Sequence, residues 1–472
     1  MKIFNLSARP GRIFLAICLL YCLSFTFVAL RKTPVGTSTA FPWHQCDVIF
    51  LLDEPGPNGQ KEIIPTTLKL ISEAEKYIIA DFFLFNSHRG VDKSDYPQIC
   101  RQITSALIKH KQENPEMPII LITDPINNFY GSYQTEEIKT LRENGIKVIE
   151  TDLEKLRDPN PLWAAIWRPL FSPLGKGKGW LDNPIASAAP KVSLRSYLDL
   201  FNLKANHRKT IVTDKGCIVA SANPHDASYP NSNTGIFLQG ETADDLALSE
   251  LIVANFSGGL TGEEFRSLQE IITHTQSTSN VQSRLLTEKA IKSAALETIN
   301  SSKKGDKLDL AMFYISDENI IAALAKAALR DVEIRVILDR NIAAFGRRKG
   351  TIPNRVTAAR LINMSQNKIN IHWATDQHGE QFHHKTMILR QNKNLNLLLG
   401  SANYTRRNLA DFNLETNLQI AGKTNDDFAI DAIEWFDEQW QDNSIPWSEE
   451  DKPGFSLAFF SRFQEFTGLC SF

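Results

Sequence analysis

The second half of this chain repeats the first, and that duplication constrains the fold more than any other feature of the sequence. In the first half a helix pattern over Pro65 to Lys76 leads into the apolar run Tyr77 to Phe85, and in the second a helix pattern over Glu288 to Ser301 leads into Leu308 to Ile315. Two further apolar runs follow in register. Pro118 to Asp124 matches Val332 to Asp339, and Gly145 to Glu150 matches Lys368 to Trp373. Short β-rich runs alternating with amphipathic helices predict α/β units whose sheets are largely buried on both faces. A chain of 472 residues exceeds what one core usually serves, so two fused copies of one unit are expected.

Each copy closes on the same polar constellation. The first reads Asn206-His207-Arg208-Lys209 and on to Asp214, then a strand, then Ser221-Ala222-Asn223. The second reads Phe382-His383-His384-Lys385 and on to Arg390, then a strand, then Ser401-Ala402-Asn403. Asn233-Thr-Gly-Ile and Glu415-Thr-Asn-Leu follow, again in register. Alternation along a strand puts the His and Lys of each His-x-Lys on one face, an imidazole beside an ammonium.

On these residues the chain resembles the phospholipase D superfamily, whose signature is His-x-Lys-x-x-x-x-Asp written twice. The resemblance covers roughly residues 46–440. The first motif fits at His207, Lys209 and Asp214, whereas Arg390 stands where the second Asp belongs, a departure shared by branches such as the tyrosyl-DNA phosphodiesterases. It implies two phospholipase D-like α/β lobes with mixed sheets, related by a pseudo-twofold axis, over residues 46–280 and 281–472, preceded by an anchor and linker over residues 1–45.

The resemblance also implies one site shared by both lobes. His207 and His383 face one phosphorus, with Lys209, Lys385, Asn223 and Asn403 around its non-bridging oxygens. Phosphodiester cleavage needs a nucleophile, a proton donor and groups that hold developing charge, and this set supplies all three. No cofactor or metal is implied, so activity should persist in excess chelator. By repeat alignment Glu415 falls where Asn233 falls, and the resemblance implies that both positions hydrogen-bond the catalytic rings. A carboxylate raises an imidazole's pKa and an amide does not. With the amide serving His207 and the carboxylate serving His383, His207 is expected as the nucleophile and His383 as the general acid. Asp214 is expected to support the site from behind, because its phase along the strand differs from that of Lys209. Arg390 is expected as a solvated strand end, with a new contact as the alternative, and His384 as structural. For Ser221 and Ser401, donation to phosphate and packing of a tight turn remain equal readings.

The substrate class has to come from what surrounds the repeat. Residues 151–203 insert Trp163, Trp167, Phe171 and Trp180 among Arg168, Lys176 and Lys178, a composition suited to an interfacial element, a lid with its own small core being the alternative. Ile13 to Leu30 is apolar and uncharged, just long enough to cross a bilayer, with Lys2, Arg9 and Arg12 before it and Arg31 and Lys32 after. An uncleaved anchor is favoured over a signal peptide cut after Ala40, with the amino terminus inside and the catalytic part outside the cytoplasm. The expected partners are therefore a phospholipid substrate and the membrane, with the chain a monomer.

A nuclease is the rival reading, carried by the basic run Arg340, Arg347, Arg348, Lys349, Arg355 and Arg360. It is disfavoured by balanced charge, 52 Lys and Arg against 54 Asp and Glu. A catalytically dead scaffold is suggested by Arg390 alone. Cys46, Cys100, Cys217 and Cys470 are too dispersed for a disulfide framework.

Overall fold

The computed structural model describes residues 10–88, 96–186, 188–274, 276–341, 343–344, 347–348, 351–375 and 380–470. Its two large sheets carry the duplication. In the first, seven strands run in the order Asp47–Asp53, Asn233–Gln239, Gly216–Ala220, Lys209–Thr213, Ile78–Phe82, Ile119–Thr123 and Lys147–Glu150. In the second, the corresponding seven are Gln282–Thr287, Thr416–Lys423, Asn394–Gly400, Lys385–Gln391, Lys307–Met312, Glu333–Leu338 and Ile369–Ala374. His44–Gln45 and Ser444–Pro446 extend the two edges of the second sheet. Both sheets are mixed, as the resemblance implies. Lys209–Thr213 lies antiparallel to Ile78–Phe82, which is parallel to Ile119–Thr123, and the second sheet repeats the pattern at Lys385, Lys307 and Glu333.

The sheets pack face to face over a shared core. Val212, Val219, Ile236 and Leu238 of the first meet Leu397, Leu399, Leu418 and Ile420 of the second, with Trp435 and Phe436 beside them. The outer face of the first sheet is covered by the helices Ile63–Glu73 and Ile99–Glu113, and that of the second by Lys289–Ser301 and Glu318–Leu329. Strands covered on both faces read as continuous apolar runs, which is why Ile78–Phe82 and Ile119–Thr123 are buried at every position.

The linker after the amino-terminal helix belongs to both lobes. Ala40 bridges Leu286 and His44 pairs with Ser283 at the edge of the second sheet before Asp47 enters the first. A buried ion cluster reinforces that joint. Arg208 Nη1 lies 3.1 Å from Glu250 Oε2, and its Nη2 lies 2.8 Å from Glu288 Oε1 in the other lobe. Glu288 Oε2 also accepts from the Ser38 amide at 2.6 Å. Glu288 holds a left-handed φ of 48° while making these contacts.

Two expectations change here. Arg390 is no solvated strand end, because its Nη2 donates to Asp309 Oδ2 at 2.5 Å inside a cluster that also holds Arg335 and Asp437. The insertion aromatics mostly face one another. Trp163 stacks on Phe171 at 5.9 Å, Trp167 is fully buried, and Arg168 pairs with Glu154 and Asp158 rather than facing a lipid headgroup. All six cysteines are free.

Removing one member of a fully buried ion cluster leaves uncompensated charge at a cost of about 3–5 kcal/mol. The Arg208→Met variant, which strands Glu250 and Glu288, should therefore lose unfolding free energy of that size and show a lower urea midpoint; an unchanged midpoint would show that this cluster does not hold the lobes together.

Candidate active site

Both histidines sit just before the strands that carry their lysines. His207 approaches in extended conformation with its amide donating to Leu414 O of the other lobe at 2.9 Å, and His383 repeats this with Ser232 O at 3.0 Å. The residue before each is fixed by a buried aspartate at the end of a repeated strand. The Asn206 amide donates to Asp124 Oδ2 at 2.7 Å and the Phe382 amide to Asp339 Oδ2 at 2.9 Å.

The ring contacts are crossed between lobes. His207 Nδ1 lies 3.0 Å from Glu415 Oε2, and His383 Nδ1 lies 3.1 Å from Asn233 Oδ1. The expected pairing within each half is thus corrected. The strand at each acceptor lies two places from the motif strand of its own sheet, but across the lobe interface it abuts the other motif. Both acceptors are held alike. Ser401 Oγ donates to Glu415 Oε2 at 2.5 Å and accepts from the Thr416 amide; Ser221 Oγ donates to Asn233 Oδ1 at 3.1 Å and accepts from the Thr234 amide. Asn408 Nδ2 donates to the other oxygen of Glu415. The two serines are therefore orienting groups committed to the ring acceptors, which removes their reading as phosphate donors.

Lys209 Nζ donates to His207 O at 2.6 Å and Lys385 Nζ to His383 O at 2.8 Å, so each side chain folds back beside its own imidazole. Phe83 and Phe313 complete the symmetry. Each ring centroid lies 4.9 Å from the neighbouring imidazole, and the ammonium groups sit over the same rings at 5.1 and 4.9 Å. Asn223 Oδ1 accepts from the Leu84 amide next to Phe83, while Asn403 precedes Tyr404, whose amide bonds Tyr314 O next to Phe313. His384 points away and packs on Phe382 and Trp435, as expected of a structural residue.

Sequence reading missed Phe83, Phe313, Asp124 and Asp339. The signal was present, since each pair occupies one position of the repeat. Asp214 is the sequence candidate that the fold does not bring in. It follows the far end of Lys209–Thr213 and accepts from the Glu75 and Lys76 amides at 2.8 and 3.0 Å, closing the turn ahead of Ile78–Phe82. Arg390 occupies the matching far end of its strand, which is why the missing carboxylate leaves the site intact.

Burial dominates the electrostatics. It lowers His207 to about 4 against the opposing pull of Glu415, and lowers Lys209 to about 7. His383 and Lys385 are pushed well below their ordinary values by burial and by the neighbouring cations. A buried site that desolvates two imidazoles and two ammonium groups favours an anionic ligand. Among the described residues no three His, Cys, Asp or Glu side chains gather as metal ligands.

Residues 295–440 match the sequence model of the cardiolipin synthase, phospholipase D-like domain. The second lobe is a phospholipase D-like domain. The first repeats its topology. Phosphatidylserine synthase from Haemophilus influenzae Rd KW20 is similar in fold, with a TM-score of 0.57 at 10% identity over 95% of this chain and 98% of that one. Polyphosphate kinase from Porphyromonas gingivalis matches at a TM-score of 0.44 and 15% identity, over 89% of this chain and 53% of that one. The phospholipase D family member Nuc from Salmonella typhimurium matches at 0.28 and 16% identity, over 35% of this chain and 99% of that one. A search of curated protein sequences found no match.

The titrating groups predict a bell-shaped dependence of kcat/KM on pH for a water-soluble diester such as bis(p-nitrophenyl) phosphate. The acid limb lies near 4, where His207 gains the proton that blocks attack, and the rate falls again through about 7, where Lys209 loses its charge. Glu415 raises the His207 pKa, so Glu415→Gln should move the acid limb to lower pH and reduce the plateau by roughly 100-fold. An acid limb that moves upward instead would contradict the crossed pairing.

Proposed function

We propose that this chain is a membrane-bound phosphodiesterase or phosphatidyltransferase that acts on phospholipids through a covalent phosphohistidine, with lobes 46–280 and 281–472 each contributing half of the site. The observation that carries the reading is the crossed pair of ring contacts, which equips two symmetric imidazoles differently.

His207 is the nucleophile, although the physical reason differs from the one read off the sequence. Its Nδ1–H donates to Glu415, leaving the Nε2 lone pair free to attack phosphorus. Once the N–P bond forms, the ring becomes cationic and the buried carboxylate compensates it. His383, held by a neutral amide, gains its proton when the anionic substrate enters and passes it to the leaving alcohol. In the second half-reaction it takes a proton from water or an acceptor alcohol, whose oxygen displaces His207. Lys209, Lys385, Asn223 and Asn403 hold the non-bridging oxygens as charge builds.

A phospholipid substrate is supported by the similarity to a cardiolipin synthase domain in sequence and to a phosphatidylserine synthase in fold. The helix Pro10–Ala29 is long and apolar enough to cross a membrane and would keep the site within reach of lipid. The nuclease alternative loses support at its basic run. Arg355 donates to the Glu450, Asp451 and Lys452 carbonyls and Arg360 pairs with Glu318, while Lys349 lies outside the described residues.

With a 32P-headgroup phospholipid and an alkaline denaturing quench, which preserves the acid-labile N–P bond, His383→Asn should accumulate label on His207, whereas His207→Asn should trap none and lose about 10³-fold or more in turnover. Label on His383 reverses the assignment. Fluorescent phosphatidylglycerol should be turned over in excess EDTA, and activity on a single-stranded oligonucleotide alone rejects the lipid reading.

A further inference from the structure

The carboxy-terminal helix Phe455–Thr467 is built inside out. Its buried positions are Ser461 and Glu465, which faces inward to accept from Ser316 Oγ and the Arg406 amide, both at 2.9 Å. Its apolar residues face outward. Phe455, Phe459, Phe463 and Phe466 fall at intervals of four, four and three residues and form one stripe, and Phe455 and Phe466 are 88% and 84% exposed. Phe460 widens the stripe, and successive rings of Phe455, Phe459 and Phe463 stack at 6.5 Å. A helix covering a core in water shows the opposite pattern, so this face is made for an apolar partner.

Its place in the molecule points to a lipid surface. Gly468, which ends the helix at a φ of 75°, lies so close to Pro159 that a Cβ would stand 1.9 Å from the Pro159 carbonyl oxygen. Pro159 leads into Pro161–Leu170, and that helix packs along Pro10–Ala29. Tyr21 Oη donates to Leu162 O at 3.2 Å, Ser24 Oγ to Ala165 O at 2.7 Å, and Arg31 Nη2 to Glu154 O at 2.5 Å. Leu162, Leu170, Leu174 and Trp180 are exposed around this joint. An apolar surface therefore continues from the membrane-crossing candidate, over the insertion, to the phenylalanine stripe.

We propose that the Phe455–Thr467 helix lies flat in the headgroup and acyl boundary of the bilayer with its phenylalanine row buried in lipid, a second membrane contact that fixes how the catalytic body sits on the surface. Glu465 is the positioning residue. Its inward hydrogen bonds to Ser316 and Arg406 set the helix rotation that turns the rings outward. The inference rests on the reading of Pro10–Ala29 as a membrane anchor, and its test does not depend on turnover.

The full chain is reconstituted in nanodiscs of phosphatidylcholine and phosphatidylglycerol containing a phosphatidylcholine with a diazirine at its acyl terminus, irradiated, and mapped by mass spectrometry. Lipid adducts are expected on the peptides spanning both Pro10–Ala29 and Phe455–Thr467. Phe459→Ser with Phe463→Ser should lose the carboxy-terminal adducts, keep those on the anchor and leave the unfolding temperature unchanged, since both rings are exposed. Adducts on the anchor alone, or cross-links from this helix to a second copy in place of lipid, overturn the proposal. Adducts on neither helix overturn it together with the anchor reading. Adducts on both without any phospholipid turnover support it and count against the lipid-processing function alone.

Discussion

The site depends on one exchange, in which each lobe supplies the ring acceptor for the other lobe's histidine. Neither lobe alone can fix the tautomer of its own imidazole, because Glu415 and Asn233 lie on strands that meet the opposite motif across the interface. The shared core therefore has a chemical role besides a mechanical one. The apolar residues of both inner sheet faces, the buried Arg208 cluster and the linker that joins the second sheet before entering the first all hold those two contacts in register.

The duplication is symmetric in architecture and asymmetric in charge. Ser221 and Ser401, Phe83 and Phe313, Asp124 and Asp339, and the two lysines occupy matched places and make matched contacts. The single difference among the ring acceptors is Asn233 against Glu415. Only one imidazole then has a carboxylate to compensate a positive charge in the buried site, and the proposed division of roles between two matched halves rests on that substitution.

Burial sets the electrostatics of the site. Desolvation holds four basic groups below their ordinary proton affinities, so a negative ligand favours their charged forms. The same economy of charge explains the peripheral arginines. Arg168, Arg355, Arg360 and Arg390 all serve carboxylates or carbonyls of the chain itself, so basic runs in the sequence overstate the cation surface the folded molecule presents.

The sequence by itself determined the α/β class, the twofold repetition and the residues able to do phosphodiester chemistry, because hydrophobic periodicity and a doubled His-x-Lys with Ser-x-Asn are local patterns that survive reading in one dimension. It also held the signal for Phe83, Phe313, Asp124 and Asp339, which align in the repeat but look like ordinary strand residues until packed. Tertiary structure alone decided which acceptor serves which ring, that Asp214 closes a turn on the Glu75 and Lys76 amides while Arg390 pairs with Asp309, and that the carboxy-terminal helix turns its phenylalanines outward. Those are contacts between residues far apart in the chain, and one-dimensional spacing carries no information about which surfaces two lobes press together.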